Sequence, residues 1–531
     1  MDKQQFIMQK KKLMTGFLVM AAGFSANVTA FDALSSFSQA VGAVAGAAKT
    51  ATPQTNVVMQ TAQLKAGLSS KREVIYEGYT KDMLAIKKLV SAGKIDEAIK
   101  LRQKGSNTPD KLDVLANLEL GLMTLDNRDV SSAQAHFAKA EQSQINKKDQ
   151  STVSSFFSTI GSTAISTVSG NEEFGEYSGV GFERVLMLNY KSIAFLLEGS
   201  RDAYNVTRRA IDLQNVEKKA FDEKVREAKK EIAEEEKTQK EKGAELNKVG
   251  FGSLLNKQYA GSNKKASKVA NAFVNPFGFY IAGVVQELDS YEDKSLRDNA
   301  RISYKKALEL NPKSDVIKQA IRDIKKPAPK NKRLVHVIIG DGFAPEKKLL
   351  KFDLSLGFGP ATHIELPLYE AVDSEVYRIE AQTSTGKRWA RLSEVADITA
   401  LALRHQKEAG PLAQLTMMTT VIRNVVEGHA WNQAAQSAGV FGSLVNSVKA
   451  ERDKMIHPDT RSWTTLPSRL MAARFYVPKS VSRIKISAYN KKGKRLSSKL
   501  ININKESHNV VYARTLNNTL YTASSDKMWV R

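Results

Sequence analysis

The spacing of hydrophobic positions along this chain changes twice. Between about residues 76 and 325 apolar side chains recur at three- and four-residue intervals, the spacing that lines one face of a helix. Past Leu334 the interval drops to two. Leu334–Ile339, Thr362–Tyr369 and Glu375–Thr383 alternate as half-buried strands, and Asp341-Gly342 marks a turn. Helical spacing returns from Leu392 to about Met455. Strands resume at Met471–Val477, Ser482–Tyr489, Leu496–Ile503 and Val510–Arg514, with a hairpin turn at Asn490-Lys-Lys-Gly-Lys-Arg495. Between the two regimes, residues 326–333 read as a linker, because two prolines and a run of basic side chains cannot pack a core. The pattern predicts an α+β multidomain chain: a helical domain at 76–325, then a mostly β domain at 334–531 with a helical insertion at 390–456.

Small and aromatic residues sharpen the helical half. Ala300, Tyr304, Ala307 and Pro312 have the spacing of the second helix of a tetratricopeptide repeat: alanines where two backbones nearly touch, an aromatic beside them, and a proline that ends the helix. Their partner helix is Phe279–Leu288, opened by Asn275-Pro276-Phe277. Gly93 and Ala98 mark a first hairpin. Leu120, Gly121, Ala133, Phe137 and Ala140 mark a second, and Ala98 and Ala133 lie 35 residues apart, close to the period of this repeat. A third runs from Phe182 through Gly199 to Ala203 and Ala210. The expectation is a tetratricopeptide-like α-solenoid with insertions at 151–175 (rich in Ser, Thr and Gly) and 216–270. The second insertion reads as a charged, solvated long helix or short coiled coil over 216–248 followed by a Gly/Asn/Lys-rich loop.

The N-terminus narrows the setting. Lys10-Lys11-Lys12 precede an apolar run from Leu13 to Phe24, and Val28-Thr29-Ala30 supplies small residues for signal-peptidase cleavage. A run of twelve residues falls short of the roughly 20 that span a bilayer. Residues 1–30 therefore read as a secretory signal, and the mature chain as periplasmic or secreted with no membrane-spanning helix. Residues 31–75 are a small-residue, low-complexity lead-in. The formal charge is +24 and becomes +21 once Asp2 and four lysines leave with the signal. That excess points to acidic partners, and export sets nucleic acid aside. With no cysteine in the chain there is no disulfide, no thiolate metal site and no lipid-acceptor residue.

Five segments carry a resemblance: Tyr177-Ser-Gly-Val-Gly-Phe182-Glu-Arg-Val, Asn275-Pro-Phe, the 300–312 helix, Asp341-Gly-Phe-Ala-Pro345 and Asp459-Thr-Arg461-Ser-Trp463-Thr-Thr-Leu-Pro467. From about residue 80 onward the chain resembles a family of bacterial envelope proteins with tetratricopeptide repeats and a C-terminal β domain, many of them lipoproteins. The resemblance implies envelope-assembly work and no known activity. This chain departs from the lipoprotein members in lacking a cysteine near Ala30.

Candidate chemistry is sparse. His136, His336, His363, His405, His429, His457 and His508 show no spacing that sets two on one helix face with an acid between them. Gly340-Asp-Gly342 lacks the third glycine of a dinucleotide loop and reads as a hairpin turn. No Gly-x-Ser-x-Gly elbow occurs, so no catalytic residue, metal or cofactor is assigned. A carboxylate pair of glycosidase type leaves no trace in spacing, which keeps a hydrolase as a rival reading. From His457 to Arg531 there are fifteen Lys/Arg against three Asp/Glu, a net of +12. Alternation puts Arg483 and Lys485 opposite Ile484 and Ile486, and the basic face so formed ends at Lys491, Lys492, Lys494 and Arg495. Those six residues, with Arg461 and Trp463, are the candidate binding residues. The alternatives are edge protection for the lysines and a core plug for the tryptophan. The expected function is an exported, non-enzymatic adaptor that holds an envelope protein such as a lipoprotein. The other binding reading is a module for anionic polymer or lipid on the basic face.

Overall fold

A computed structural model describes residues 81–104, 108–149, 177, 179–241, 249–354, 362–418, 420, 421 and 460–525. The expected signal, the lead-in, the 151–175 insertion and the 422–456 part of the helical insertion lie outside the described residues. The fold is α+β, roughly half helix and a quarter strand.

Consecutive helices pack in pairs: α1 (Lys81–Ser91) with α2 (Ile95–Gln103), α3 (Val114–Asp126) with α4 (Val130–Asp149), and α5 (Gly181–Glu198) with α6 (Asp202–Glu241). Helix α7 (Phe251–Ala266) follows. Then α8 (Pro276–Asp289) pairs with α9 (Leu296–Leu310), and α9 with the short α10 (Asp315–Asp323). Local chemistry sets the ends. Gly93 turns the first hairpin at φ +82°, a conformation open to glycine. The Asp113 carboxylate accepts from the Ala116 N–H to cap α3, and Asn275 does the same for α8 ahead of Pro276.

Ala98, Leu120, Ala133, Phe137, Ala140, Ala203, Ala210, Ala300, Tyr304 and Ala307 are all buried, while Pro312 is exposed just past α9. The aromatics lie on glycines of the partner helix. A Cβ on Gly121 would come within 2.6 Å of the Phe137 ring, and one on Gly283 within 2.5 Å of Tyr304.

The described residues hold eleven strands: β1 (Lys332–Asp341), β2 (Glu346–Leu354), β3 (Thr362–Glu370), β4 (Arg378–Gln382), β5 (Arg388–Arg391) and β6 (Ser393–Asp397), then helix α11 (Ile398–Glu408), then β7 (Arg469–Pro478), β8 (Arg483–Tyr489), β9 (Arg495–Asn502), β10 (Asn509–Leu516) and β11 (Thr519–Ser524). They form a five-stranded sheet in the order β11-β10-β1-β7-β6, a four-stranded sheet β5-β4-β8-β9, and the β2–β3 hairpin. In the first sheet β1 runs parallel to β10 and antiparallel to β7.

The layers follow from alternation along β1. Val335, Val337 and Ile339 pack with Ile379, Ile484 and Ile486 of the four-stranded sheet. Ile338, with Leu470, Val510 and Tyr512, joins the core of the helical hairpins. The five-stranded sheet is thus sandwiched, and β1, β7 and β10 are buried along nearly their whole length. Expecting them to be half-buried underestimated this, because helices cover the face that alternation assigned to water.

Other expectations need correcting. Helix α6 runs unbroken for 40 residues through the boundary expected at 216. Residues 251–266, expected as a loop, are helical because Phe251, Leu255 and Tyr259 recur every fourth position and are buried. Leu392–Asp397, expected to begin a helix, is edge strand β6 for most of its length. Asp341-Gly342 is not a hairpin turn, since β1 and β2 lie in different sheets. The basic linker is shorter than expected: β1 takes in Lys332 and Arg333, and Arg333 is buried.

Candidate functional site

The first helices of three hairpins, together with the short α10, are turned to the sheet. Every residue of α3 is buried, as is nearly all of α5 and α8. Helix α3 touches β11, α5 touches β10 and α8 touches β6. Among the described residues, that face of the hairpins is covered by the chain's own sheet.

Charged side chains are built into this seam. Arg474 of β7 grips Glu287 of α8 through Nε (3.2 Å) and Nη2, and reaches Asp323 of α10 through Nη1 at 2.5 Å. The Tyr304 hydroxyl donates to Glu287 at 2.8 Å, and His336 of β1 stands 3.4 Å from the same carboxylate. Burial would push the Glu287 carboxyl up, but the Arg474 guanidinium and His336 outweigh it and hold its pKa well below the usual range. Burial lowers the pKa of His336, and pushes that of His508 down to about 4. His508 accepts at Nδ1 from the Leu334 N–H and lies against the Tyr291 ring, which suits a neutral imidazole. Further along, Tyr512 of β10 donates to Asp126 of α3 at 2.8 Å, and burial raises the Asp126 carboxyl to about 6.

Segments distant in sequence meet at the same junction. Glu183, at the start of α5, accepts from the Trp463 backbone N–H at 3.0 Å and from the Val180 N–H, and the Tyr177 hydroxyl donates to it. Arg461 lies over the Tyr177 ring at 5.6 Å. The Trp463 ring is buried among Phe137, Tyr190 and the helical core. It is therefore not a surface contact, which corrects its place among the binding candidates. Its large apolar area is better satisfied where helix and sheet meet. Ala344 N–H donates to Leu466 O, and Arg514 of β10 donates to Gly342 O and Thr465 O. Three of the segments named above, in their described parts Tyr177 with 179–183, 341–345 and 460–467, thus interlock.

The basic β face is exposed. Ile484 and Ile486 are buried, Arg483 is exposed and Lys485 is half-buried on the opposite face, and Lys491, Lys492, Lys494 and Arg495 are exposed at the tip. The turn is closed by Asn490 N–H to Lys494 O at 2.9 Å with Gly493 at φ +80°. An acid missed by the sequence reading sits in the middle of this face. Glu380 of β4 pairs with Arg378 at 3.1 Å and Arg388 at 3.4 Å, and Arg378 lies over the Tyr489 ring. The face is therefore strongly cationic only toward its ends.

Among the described residues no group of three His, Asp or Glu is placed to hold a metal ion, and no helix is long and apolar enough to cross a membrane. Compared with protein-family models, curated proteins and solved structures, the chain matches none of them. The seam residues Glu287, His336, Arg474 and Arg514 escaped sequence reading because charge within a strand or helix ordinarily signals solvent. The signal that could have found them is His336, Arg474 and Arg514 standing in step with apolar residues on strands otherwise too hydrophobic for an open face.

Proposed function

We propose that this chain is an exported, non-enzymatic adaptor of the bacterial cell envelope, in which a tetratricopeptide-like α-solenoid carries a β unit that presents its outward surface to an envelope protein. One observation carries the reading. Helices α3, α5 and α8 are occupied by the chain's own sheet, which leaves the second helices and the Arg483–Arg495 face to meet a partner. A scaffold held rigid by a buried ion-pair seam fits work that depends on shape rather than on reacting groups. The exposed lysines at 491, 492 and 494 favour one second reading, a module retaining anionic envelope polymer.

Pull-down from envelope fractions at low and high salt separates the two. The adaptor reading expects a protein partner that stays bound at high salt. Retention of polymer alone, lost on adding salt, would replace it with the module.

A further inference from the structure

The fold assembles a second cationic surface from segments far apart in sequence. Strands β1, β7, β8, β9 and β10 begin or end at the same end of the two sheets. Lys332 pairs with Pro478, Arg483 with Asn502, and Val335 with Asn509. Backbone bonds tie the connecting turns together: Lys479 N–H to Asn331 O (3.3 Å), Ile503 N–H to Ser482 O (2.9 Å), and Arg333 Nη2 to Val481 O (2.6 Å). Arg297 fastens the end of α10 beside them by donating to Ile324 O at 2.7 Å and to Lys326 O.

The result places Lys325, Lys326, Lys330, Lys332, Lys479, Arg483 and Lys505 at one pole, all exposed, with Glu506 as the acid among them. Beneath them Arg333 is 2% exposed, and its Nε and Nη1 have no hydrogen-bond partner. Leaving guanidinium N–H groups buried and unpaired is costly unless anionic charge lies close by.

We infer that this pole docks the chain on the anionic headgroup plane of a phospholipid bilayer. Six of its seven exposed cations are lysines, compact point charges without the fork that arginine uses to grip a single carboxylate or phosphate. They stand on turns and strand ends, which project from a sheet rather than wall a cleft. Such an array answers a diffuse plane of phosphates better than one polymer strand or peptide. Seven cations near such a surface bind reversibly without a spanning helix. The inference does not rest on the adaptor reading, which concerns the outward face and its tip; Arg483 is common to both surfaces and is left unchanged in the variants below.

The test is co-sedimentation of the full chain with phosphatidylcholine vesicles, with and without phosphatidylglycerol. The chain carrying K330Q, K332Q, K479Q and K505Q is compared with one carrying K491Q, K492Q, K494Q and R495Q. The expected result is salt-sensitive binding to anionic vesicles, weakened on the order of 1,000-fold by the pole variant and only slightly by the tip variant. Using the difference between anionic and neutral vesicles removes any contribution of the apolar run at 13–24, and circular dichroism checks that both variants are folded. Equal loss in the two variants would overturn the assignment to the pole. So would no preference for anionic vesicles, or retention on soluble polyphosphate with none on vesicles. A pole variant that fails to fold is replaced by K325Q/K326Q/K505Q, which removes exposed charge outside the strands.

Discussion

At the scale of single residues, the buried acids of the seam have opposite fates. Glu287 is held ionised by the Arg474 guanidinium, with His336 and the Tyr304 hydroxyl beside it. Its folded pKa is depressed, so its stabilisation is present above the unfolded value of about 4.3 and is lost as pH falls. Asp126 runs the other way. Burial raises it to about 6, so between about pH 4 and 6 the native state keeps a proton that the unfolded chain releases. Stability therefore drops as pH rises through that window, by about 3 kcal/mol if the shift is fully expressed. Asp126→Asn keeps an oxygen to accept from the Tyr512 hydroxyl and removes the titration. Urea midpoints at pH 4, 5, 6 and 7 should show the variant gaining on the parent as pH rises. A constant difference across that range would contradict the assignment.

At the scale of elements, the hairpins depend on rings seated against glycines. Gly283→Ala would drive a Cβ to 2.5 Å from the Tyr304 ring, which is buried and hydrogen-bonded to Glu287 and so cannot swing aside. Overpacking of about 1–3 kcal/mol should exceed the roughly 1 kcal/mol of helix propensity gained, giving a lower thermal midpoint. Gly261→Ala, with nothing within 4 Å of its Cβ, should be neutral or stabilising. The hairpins were legible because alanine, aromatic and glycine positions are fixed by helix contact and read directly from spacing. The long strands were legible by alternation. Helix α7 was missed because Gly252, Gly261 and its asparagines and lysines masked three well-spaced apolar residues. β11 is short, and its Thr519-Leu-Tyr-Thr gives only one alternation. The parallel pairing of β1 with β10, about 170 residues apart in the chain, has no local signature.

For the whole molecule, the candidate site divides along the same line. The basic tip was legible because exposure and turn chemistry are local. The seam and the basic pole were not, since each is made by register between distant strands and helices. The shared core has a measurable consequence. Ile338, Leu470, Val510 and Tyr512 of the sheet pack in one cluster with the helical hairpins, so residues 326–531 produced alone should expose that face. That fragment should aggregate or give poorly dispersed amide spectra, and the full chain should unfold with coincident far-ultraviolet and tryptophan-fluorescence transitions. A soluble, well-dispersed fragment would show that the β half stands on its own.

Helix α6 joins two territories. Ala203, Val206 and Ala210 belong to the hairpin core, while Phe221, Ala228 and Ile232 pack with α7 and the β2–β3 hairpin. Forty residues make a rod of about 60 Å, packed into one core near its start and into the other as far as Ile232. Such a rod ties the two cores along one axis, so a shift of one core should be felt at the other.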